Sequence, residues 1–330
     1  MNVCIYGAGA VGGFIGARLA HAGHPVAAVA RGATLAALRR HGLRLAQGGQ
    51  TIVAPVRAEE DPARIGPQAL VVIAVKAPSL AEIAPRVAPL LAPDTVVLVA
   101  MNGVPWWFFD GLPGPHAGTR LASVDPDGAI AAAIPTRHVV GCVVHASCST
   151  PEPGLVRHGM GNGLIVGEPA GGRSARVEAL AAALARAGFA ATVSERIQRD
   201  IWYKLWGNMT MNPVSALTGA TADRILDDPL VRGFMVRAME EAAAIGSRIG
   251  CAIGETAEAR IAVTRKLGAF KTSMLQDVEA GRPIELDALV AAVREIGARA
   301  GVPTPTIDAL LGLARLFGEV RGLYRAHGPR

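Results

Sequence analysis

Asn2-Val3-Cys4-Ile5-Tyr6-Gly7-Ala8-Gly9-Ala10-Val11-Gly12 is the stretch that decides the fold class. Residues 2–6 form a short apolar run suited to a strand buried on both faces. A Gly-x-Gly-x-x-Gly sequence follows at once. Residues 10–22 then fit a helix with Phe14, Ile15, Leu19 and Ala20 on its apolar side, closed by Gly23. Pro25 to Ala30 reads as a second strand. The glycine pattern alone is weak, but between a strand and a helix, with another strand following, it is the fingerprint of a dinucleotide-binding βαβ unit. Gly7 serves the tight turn, Gly9 lets backbone approach a pyrophosphate, and Gly12 lets helix and strand pack closely. The helix N-terminus offers unpaired N–H groups and a positive dipole end to phosphates. Gly7, Ala8, Gly9, Ala10, Val11 and Gly12 are therefore the candidate phosphate loop.

The end of the second strand separates NAD from NADP. An NAD site usually places Asp or Glu there to hold the ribose hydroxyls. This strand ends Val29-Ala30-Arg31-Gly32, with no carboxylate. The planar fork of Arg31 suits a 2′-phosphate, so the expected cofactor is NADP(H).

Outward from this unit, strand patterns recur at Ala69–Val75 and Thr95–Met101, with a helical stretch at Ala81–Leu91 between them. The alternation predicts a parallel sheet with helices on both faces. From Val104 to Pro135 the pattern fails, and Gly, Pro, Asp and the run Trp106-Trp107-Phe108-Phe109 suggest an irregular insertion that lines a pocket or a subunit contact. Strands resume at Val139–His145 and Leu164–Val166, followed by a helix over Ser174–Gly188 and a short strand at Ala190–Val193. After Arg196 only helical periodicity remains, over Ile197–Met211, Leu230–Ile249, Ala257–Leu267, Leu286–Ala300 and Thr306–Arg321. The expectation is an α/β N-terminal dinucleotide-binding domain of the Rossmann type over residues 1–196 and an all-α C-terminal domain over residues 197–330.

Composition narrows the function classes. Of 330 residues, 51% are hydrophobic and 18% charged, which excludes general disorder. The net charge of +6 is mild, and Arg is scattered without a basic block, so no nucleic-acid partner is expected. Four cysteines without CxxC spacing argue against a disulfide scaffold or a zinc site and fit a reducing compartment. Lys76 and Asp94 interrupt the most apolar runs before they reach membrane-spanning length. A cytoplasmic protein with no membrane partner and no metal is expected.

Two polar groups sit where apolar residues would otherwise be core. Lys204, Asn208 and Asn212 recur every four residues, which on a helix places them on one stripe with about 40° of drift per step. They lie within a mostly apolar stretch and need polar partners. Ser273-Met274-Leu275-Gln276-Asp277 is the second group, with Glu285 twelve residues beyond Ser273. Ser273 suits a carboxylate, and Glu285 suits a hydroxyl. Asn102-Gly103 ends the Thr95–Met101 strand, and open parallel sheets bind ligands at the carboxyl ends of their strands.

Together these pieces resemble the ketopantoate reductase (2-dehydropantoate 2-reductase) family: Gly7-x-Gly9-x-x-Gly12 with Arg31, Lys76 after the third strand, Asn102-Gly103, Lys204-x-x-x-Asn208-x-x-x-Asn212-Pro213, Ser273–Asp277, and Glu285-Leu286-Asp287. They span nearly the whole chain in the family's order. The resemblance implies reduction of ketopantoate to pantoate with NADPH, for pantothenate and coenzyme A, in a cleft between two domains. It implies that Lys204 is the catalytic proton donor. Glu285 would contact the substrate hydroxyl and the cofactor, and Asn102 would lie near the nicotinamide. Asn208, Asn212 and Ser273 would hold substrate, with Asn102, while Arg31 and Lys76 hold cofactor. The partner is then a small 2-oxo acid, with a homodimer as the candidate assembly. The chain departs from the family at Thr221-Ala222-Asp223, where another Asn is frequent, and at Ile284, where Thr is frequent. These departures bear on which 2-oxo acid is reduced. The rivals are a reductase of another branched 2-oxo acid and a non-catalytic NADP sensor, which would need neither Lys204 nor Glu285. His145, His158 and the cysteines read as structural.

Overall fold

In the computed structural model, which describes residues 1–325, the chain separates into two compact units. One comprises Met1–Met101 and Ala129–Ile197, and the other Asn102–Gly128 and the chain from Gln198 onward. Residues 102–128, which a boundary near residue 196 would leave in the first domain, cluster with the second unit.

The first unit opens with β1 (Val3–Tyr6), α1 (Ala10–His21), β2 (Val26–Val29) and α2 (Gly32–His41). β3 (Leu43–Gln47), β4 (Gln50–Ala54), β5 (Arg57–Glu59), β6 (Leu70–Ile73), α3 (Ala77–Ile83) and β7 (Val96–Val99) follow. The unit ends with α4 (Ala129–Ala133), β8 (Val139–Glu152), β9 (Leu155–Gly167), α5 (Ala175–Arg186) and β10 (Ala190–Val193). One sheet has the order β4-β3-β9-β8-β7-β6-β1-β2-β5, and β10 pairs with β9. β1 pairs in parallel with β2 on one side and β6 on the other, so strand order reverses at its carboxyl end. That is where such sheets open a ligand crevice. α1 lies against the sheet: a Cβ on Gly16 would sit 2.8 Å from Ile5, and one on Gly13 2.6 Å from Val156.

Three sequence expectations change here. The sheet is mixed, because β8–β9 and β3–β4 are antiparallel. β8 and β9 run far beyond Val139–His145 and Leu164–Val166, through polar, exposed positions and a bulge at Gly161 (φ +73°) that hydrophobic pattern does not reveal. The helix expected over Ala81–Leu91 stops at Ile83, and two 3₁₀ turns continue it, because Pro85 and Pro89 lack the N–H a helix needs.

The second unit contains α6 (Ile197–Thr218), α7 (Ala222–Asp227), α8 (Pro229–Arg248), α9 (Ala257–Arg265) and α10 (Ser273–Glu279), then a π-helical turn at Asp287–Ala291 that runs into α11 (Ala292–Ala300), and α12 (Pro305–Val320). α6 is pinned to α8 by two indoles: Trp206 donates to the Met239 carbonyl at 2.6 Å and Trp202 to that of Ala242 at 3.3 Å. The run Trp106–Phe109 packs inward. All four rings are buried, with Phe108 6.0 Å from Trp202. These four side chains are thus core of the helical unit. No helix among the described residues is long and apolar enough to cross a membrane.

Glu295 ties that stretch down, accepting from the Ala122 and Ser123 N–H groups at 3.0 and 2.9 Å. Burial pushes its carboxyl up, but bonds from Ser123, Arg299 and Ala122 outweigh this and hold it below the usual carboxylate range. Glu295→Gln is expected to cost about 1–3 kcal/mol at pH 7 in urea unfolding. A lowered folded pKa stabilises fully above the unfolded carboxylate's ~4.3 and less as pH falls through the folded value. The gap between wild type and variant should therefore close in acid; a constant gap from pH 7 to 3 would clear the charge of this role.

Candidate active site

The glycine loop follows β1 directly. Gly7 has φ +96°, and a Cβ there would lie 2.8 Å from Val75. A Cβ on Gly12 would lie 2.1 Å from the Gly7 carbonyl oxygen, so only glycine allows α1 to start against this turn. Gly9 faces open space and is the N-cap of α1, with no side chain capping the helix. The first N–H groups of α1 are thus left for an outside acceptor.

A cavity of about 490 Å³ opens over this loop, in the range of small-molecule sites. Gly7, Ala8, Gly9, Arg31 and Lys76 all line it, Lys76 as the residue before α3. Ala10, Val11 and Gly12 form the first turn of α1 behind the loop. Sequence reasoning missed Tyr6, Glu82, Arg86 and the β8–β9 tip at residues 150–154, which complete the wall. Glu82 binds the Arg31 guanidinium at 2.7 Å. Both side chains are more than half exposed, 69% and 57%, so the pair contributes only about 0–1 kcal/mol. The Tyr6 hydroxyl is buried and has no hydrogen-bond partner among the described residues. The uncapped helix end, the open face of Gly9 and this orphaned hydroxyl fit a dinucleotide.

In the second unit, Lys204 projects from α6 and its Nζ donates to Asn102 Oδ1 at 2.8 Å. Lys204 and Asn208 are half-buried, and Asn212, one turn further, is buried. Pro213 follows within the helix, removing the N–H that would bond the Met209 carbonyl. Asn102 is held by its neighbour: Gly103 has φ +86°, and a Cβ there would meet the Ala288 carbonyl oxygen at 2.6 Å. Val104 N–H donates to the same carbonyl at 2.8 Å. Ala288 lies in the π-helical turn, three residues after Glu285, which is only 9% exposed. Lys204, Asn102 and the segment carrying Glu285 are thereby joined. Ser273 is different in character, being the exposed first residue of α10, where Thr272 rather than Ser273 caps the helix. Asp277, buried beside it, pairs with Arg282 at 3.0 Å. His158 stacks on Phe14 at 4.9 Å, and burial raises the Cys4 and Cys148 thiols to about 12.

A Rossmann-type sheet with a glycine loop at its switch point, joined to a helical unit that presents a lysine, defines a nucleotide-dependent oxidoreductase. The profile of ketopantoate reductase PanE/ApbA matches residues 3–171, and that of the ketopantoate reductase PanE/ApbA C terminal matches residues 196–317. The 2-dehydropantoate 2-reductase of Mesorhizobium japonicum is 47% identical over 98% of this chain and 100% of its own length. A crystal structure assigned as ketopantoate reductase from Ralstonia solanacearum MolK2 shares 64% identity at a TM-score of 0.94, over 98% of this chain and 99% of that one. D-mandelate dehydrogenase, solved with NADH and anilino(oxo)acetate, shares the fold at 21% identity and a TM-score of 0.84, covering 98% of this chain and 100% of that one. The chain belongs to the ketopantoate reductase family.

The glycines differ in what a methyl would meet. Gly12→Ala should lower the thermal unfolding midpoint sharply, because backbone blocks the added carbon. Gly9→Ala should fold as the wild type and lose about 1–3 kcal/mol of dinucleotide binding, the cost of forcing a methyl into a packed contact. Isothermal titration beside thermal unfolding separates the two effects.

Proposed function

We propose that the protein is a cytoplasmic, NADPH-dependent reductase of 2-dehydropantoate, yielding pantoate for pantothenate and coenzyme A synthesis. The observation that carries this reading is the 2.8 Å bond holding Lys204 to Asn102, next to the segment of Glu285, in a chain whose glycine loop fits a dinucleotide. The names of the relatives support the substrate, and Arg31 supports NADP(H). D-mandelate dehydrogenase uses the same fold with NADH, so fold alone does not select the cofactor.

Bound nicotinamide supplies hydride to the C2 carbonyl. Negative charge then builds on the carbonyl oxygen, where a positioned cation stabilises it most. In this reading Lys204 is that cation and delivers the proton. Asn102 accepts a hydrogen bond from its Nζ and so holds the ammonium in place. Asn208, Asn212 and Ser273 bind the 2-oxo acid, and Glu285 accepts from its hydroxyl. Arg31 and Lys76 hold the cofactor phosphates, with Gly7–Gly12 beneath the pyrophosphate. The helical unit thus contributes the proton donor, and the sheet unit the cofactor pocket.

NADPH oxidation with ketopantoate, set against pyruvate, ketoisovalerate and oxaloacetate, tests the substrate. Lys204→Ala should lose about 3–5 kcal/mol of transition-state stabilisation, about 10²–10³ or more in rate. NADPH binding, followed by its fluorescence, should be unchanged. Because the lysine must carry a proton, wild-type reduction should decline in alkali. Near-normal turnover in the variant would remove Lys204 as the acid. Arg31→Ala should cost about 0.5–3 kcal/mol of NADPH binding, the arginine–phosphate bond less the exposed Glu82 pair it replaces, and little of NADH binding. Equal losses would show that Arg31 does not read the 2′-phosphate.

A further inference from the structure

Tyr6 is the last residue of β1, one position before the glycine loop. Its side chain is 4% exposed and lines the cofactor cavity. The hydroxyl is out of contact with solvent and has no hydrogen-bond partner among the described residues. A buried hydroxyl without a partner costs about 1–3 kcal/mol, whereas phenylalanine would fill the same space without that cost. The hydroxyl therefore destabilises the free protein unless something completes it.

Its surroundings indicate what that is. Burial raises the proton affinity of the phenol, while Arg86 opposes this, and Glu82 and Arg31 act on it more weakly. Tyr6 thus stays protonated at working pH and available as a donor. Arg86, Glu82 and Arg31 all belong to the same wall of the cavity. Glu82 is taken up by Arg31 at 2.7 Å, and Glu152, also on the wall, by Arg44 at 2.9 Å. Arg86 donates to the Glu60 backbone carbonyl at 3.1 Å and has no carboxylate partner among the described residues. A protonated donor that shares a cavity wall with two guanidinium groups suits a dianionic ligand group with several acceptor oxygens.

The geometry points to Tyr6 as a further cofactor-selecting residue, whose hydroxyl donates to the adenosine 2′-phosphate of NADPH between Arg31 and Arg86. This rests on the NADPH reading above. The phosphate would take over the Arg31 guanidinium from Glu82, and the Tyr6 hydroxyl would gain the partner it lacks.

The test is Tyr6→Phe in the full chain, with two readouts. The first is thermal unfolding without ligand, where the variant should melt at or above the wild-type temperature. A lower midpoint would mean that the hydroxyl is already bonded in the free protein, which overturns the proposal. The second is titration calorimetry with NADPH, NADH, 2′,5′-ADP and 5′-AMP. The variant should bind NADPH and 2′,5′-ADP about tenfold more weakly or worse, the loss of one hydrogen bond to a charged group, and NADH and 5′-AMP as the wild type does. Equal weakening of all four would place the hydroxyl on the adenosine or the 5′-phosphate, and no weakening would leave it without a ligand role; either overturns the proposal. If the wild type binds NADPH and the variant binds it equally well, the proposal alone fails. If the wild type binds NADH but not NADPH, the cofactor reading fails and the proposal with it.

Discussion

The approach of Gly12 to the Gly7 carbonyl is the constraint on which the first unit depends. No carbon fits between them, since a Cβ would come within 2.1 Å of the oxygen. That contact sets the start of α1 against the end of β1, at the point where strand order reverses. It brings the uncapped helix end, the open face of Gly9, the Tyr6 ring and the Arg31 side chain around one cavity. The sheet beneath holds this geometry, because β1 is fully paired on both sides by strands whose residues are all buried.

The second unit meets a different constraint, which is to keep a cation and two amides on a helix that is otherwise core. Trp202, Leu205, Trp206 and Met209 are all at most 2% exposed, so α6 is anchored by apolar burial. The two indole N–H bonds to α8 fix its rotation. Against that fixed frame the ammonium of Lys204 needs an acceptor at short range, and Asn102 supplies one. Asn102 in turn needs Gly103, the residue whose backbone can pass the Ala288 carbonyl. A π-helical turn at this point suits a site that must aim a side chain out of regular register. The chemistry proposed for Lys204 therefore depends on a turn 102 residues away in sequence.

How much of this the sequence reveals depends on the range of the interaction. The β1–loop–α1 unit is legible because its causes are local: an apolar strand, three glycines with separate reasons, and a helical period. The α6 stripe is legible because i, i+4 spacing is local too. The β3–β4 hairpin passes unnoticed although Gly48-Gly49, both at positive φ, is a two-residue turn signal between alternating residues. The outer half of β8–β9 leaves no hydrophobic trace, since its positions are exposed and glycine-rich. Trp106–Phe109 looks irregular because its partners lie on α6, far along the chain. Glu82 is invisible as a site residue for the same reason. Its significance comes from Arg31, which is 51 positions earlier.

Glu82 changes what Arg31 means for cofactor choice. The absence of an acid at the end of β2 reads as an NADP signature, yet α3 delivers an acid to the same guanidinium. A 2′-phosphate must displace that carboxylate, and the balance depends on magnitudes. The exposed Arg31–Glu82 pair is worth about 0–1 kcal/mol. A charge-assisted bond from arginine to phosphate is worth about 1.5–3 kcal/mol. The exchange favours phosphate, but by less than Arg31 alone would give, and the freed carboxylate remains near the new anion. A ribose that carries a hydroxyl instead of the phosphate meets no such repulsion and finds an acceptor in Glu82. In the proposed NADPH reading, discrimination between the two cofactors would therefore rest on the difference between Arg31 and Glu82 rather than on Arg31 alone. Donors that favour the phosphate without also holding a carboxylate are what widen that difference.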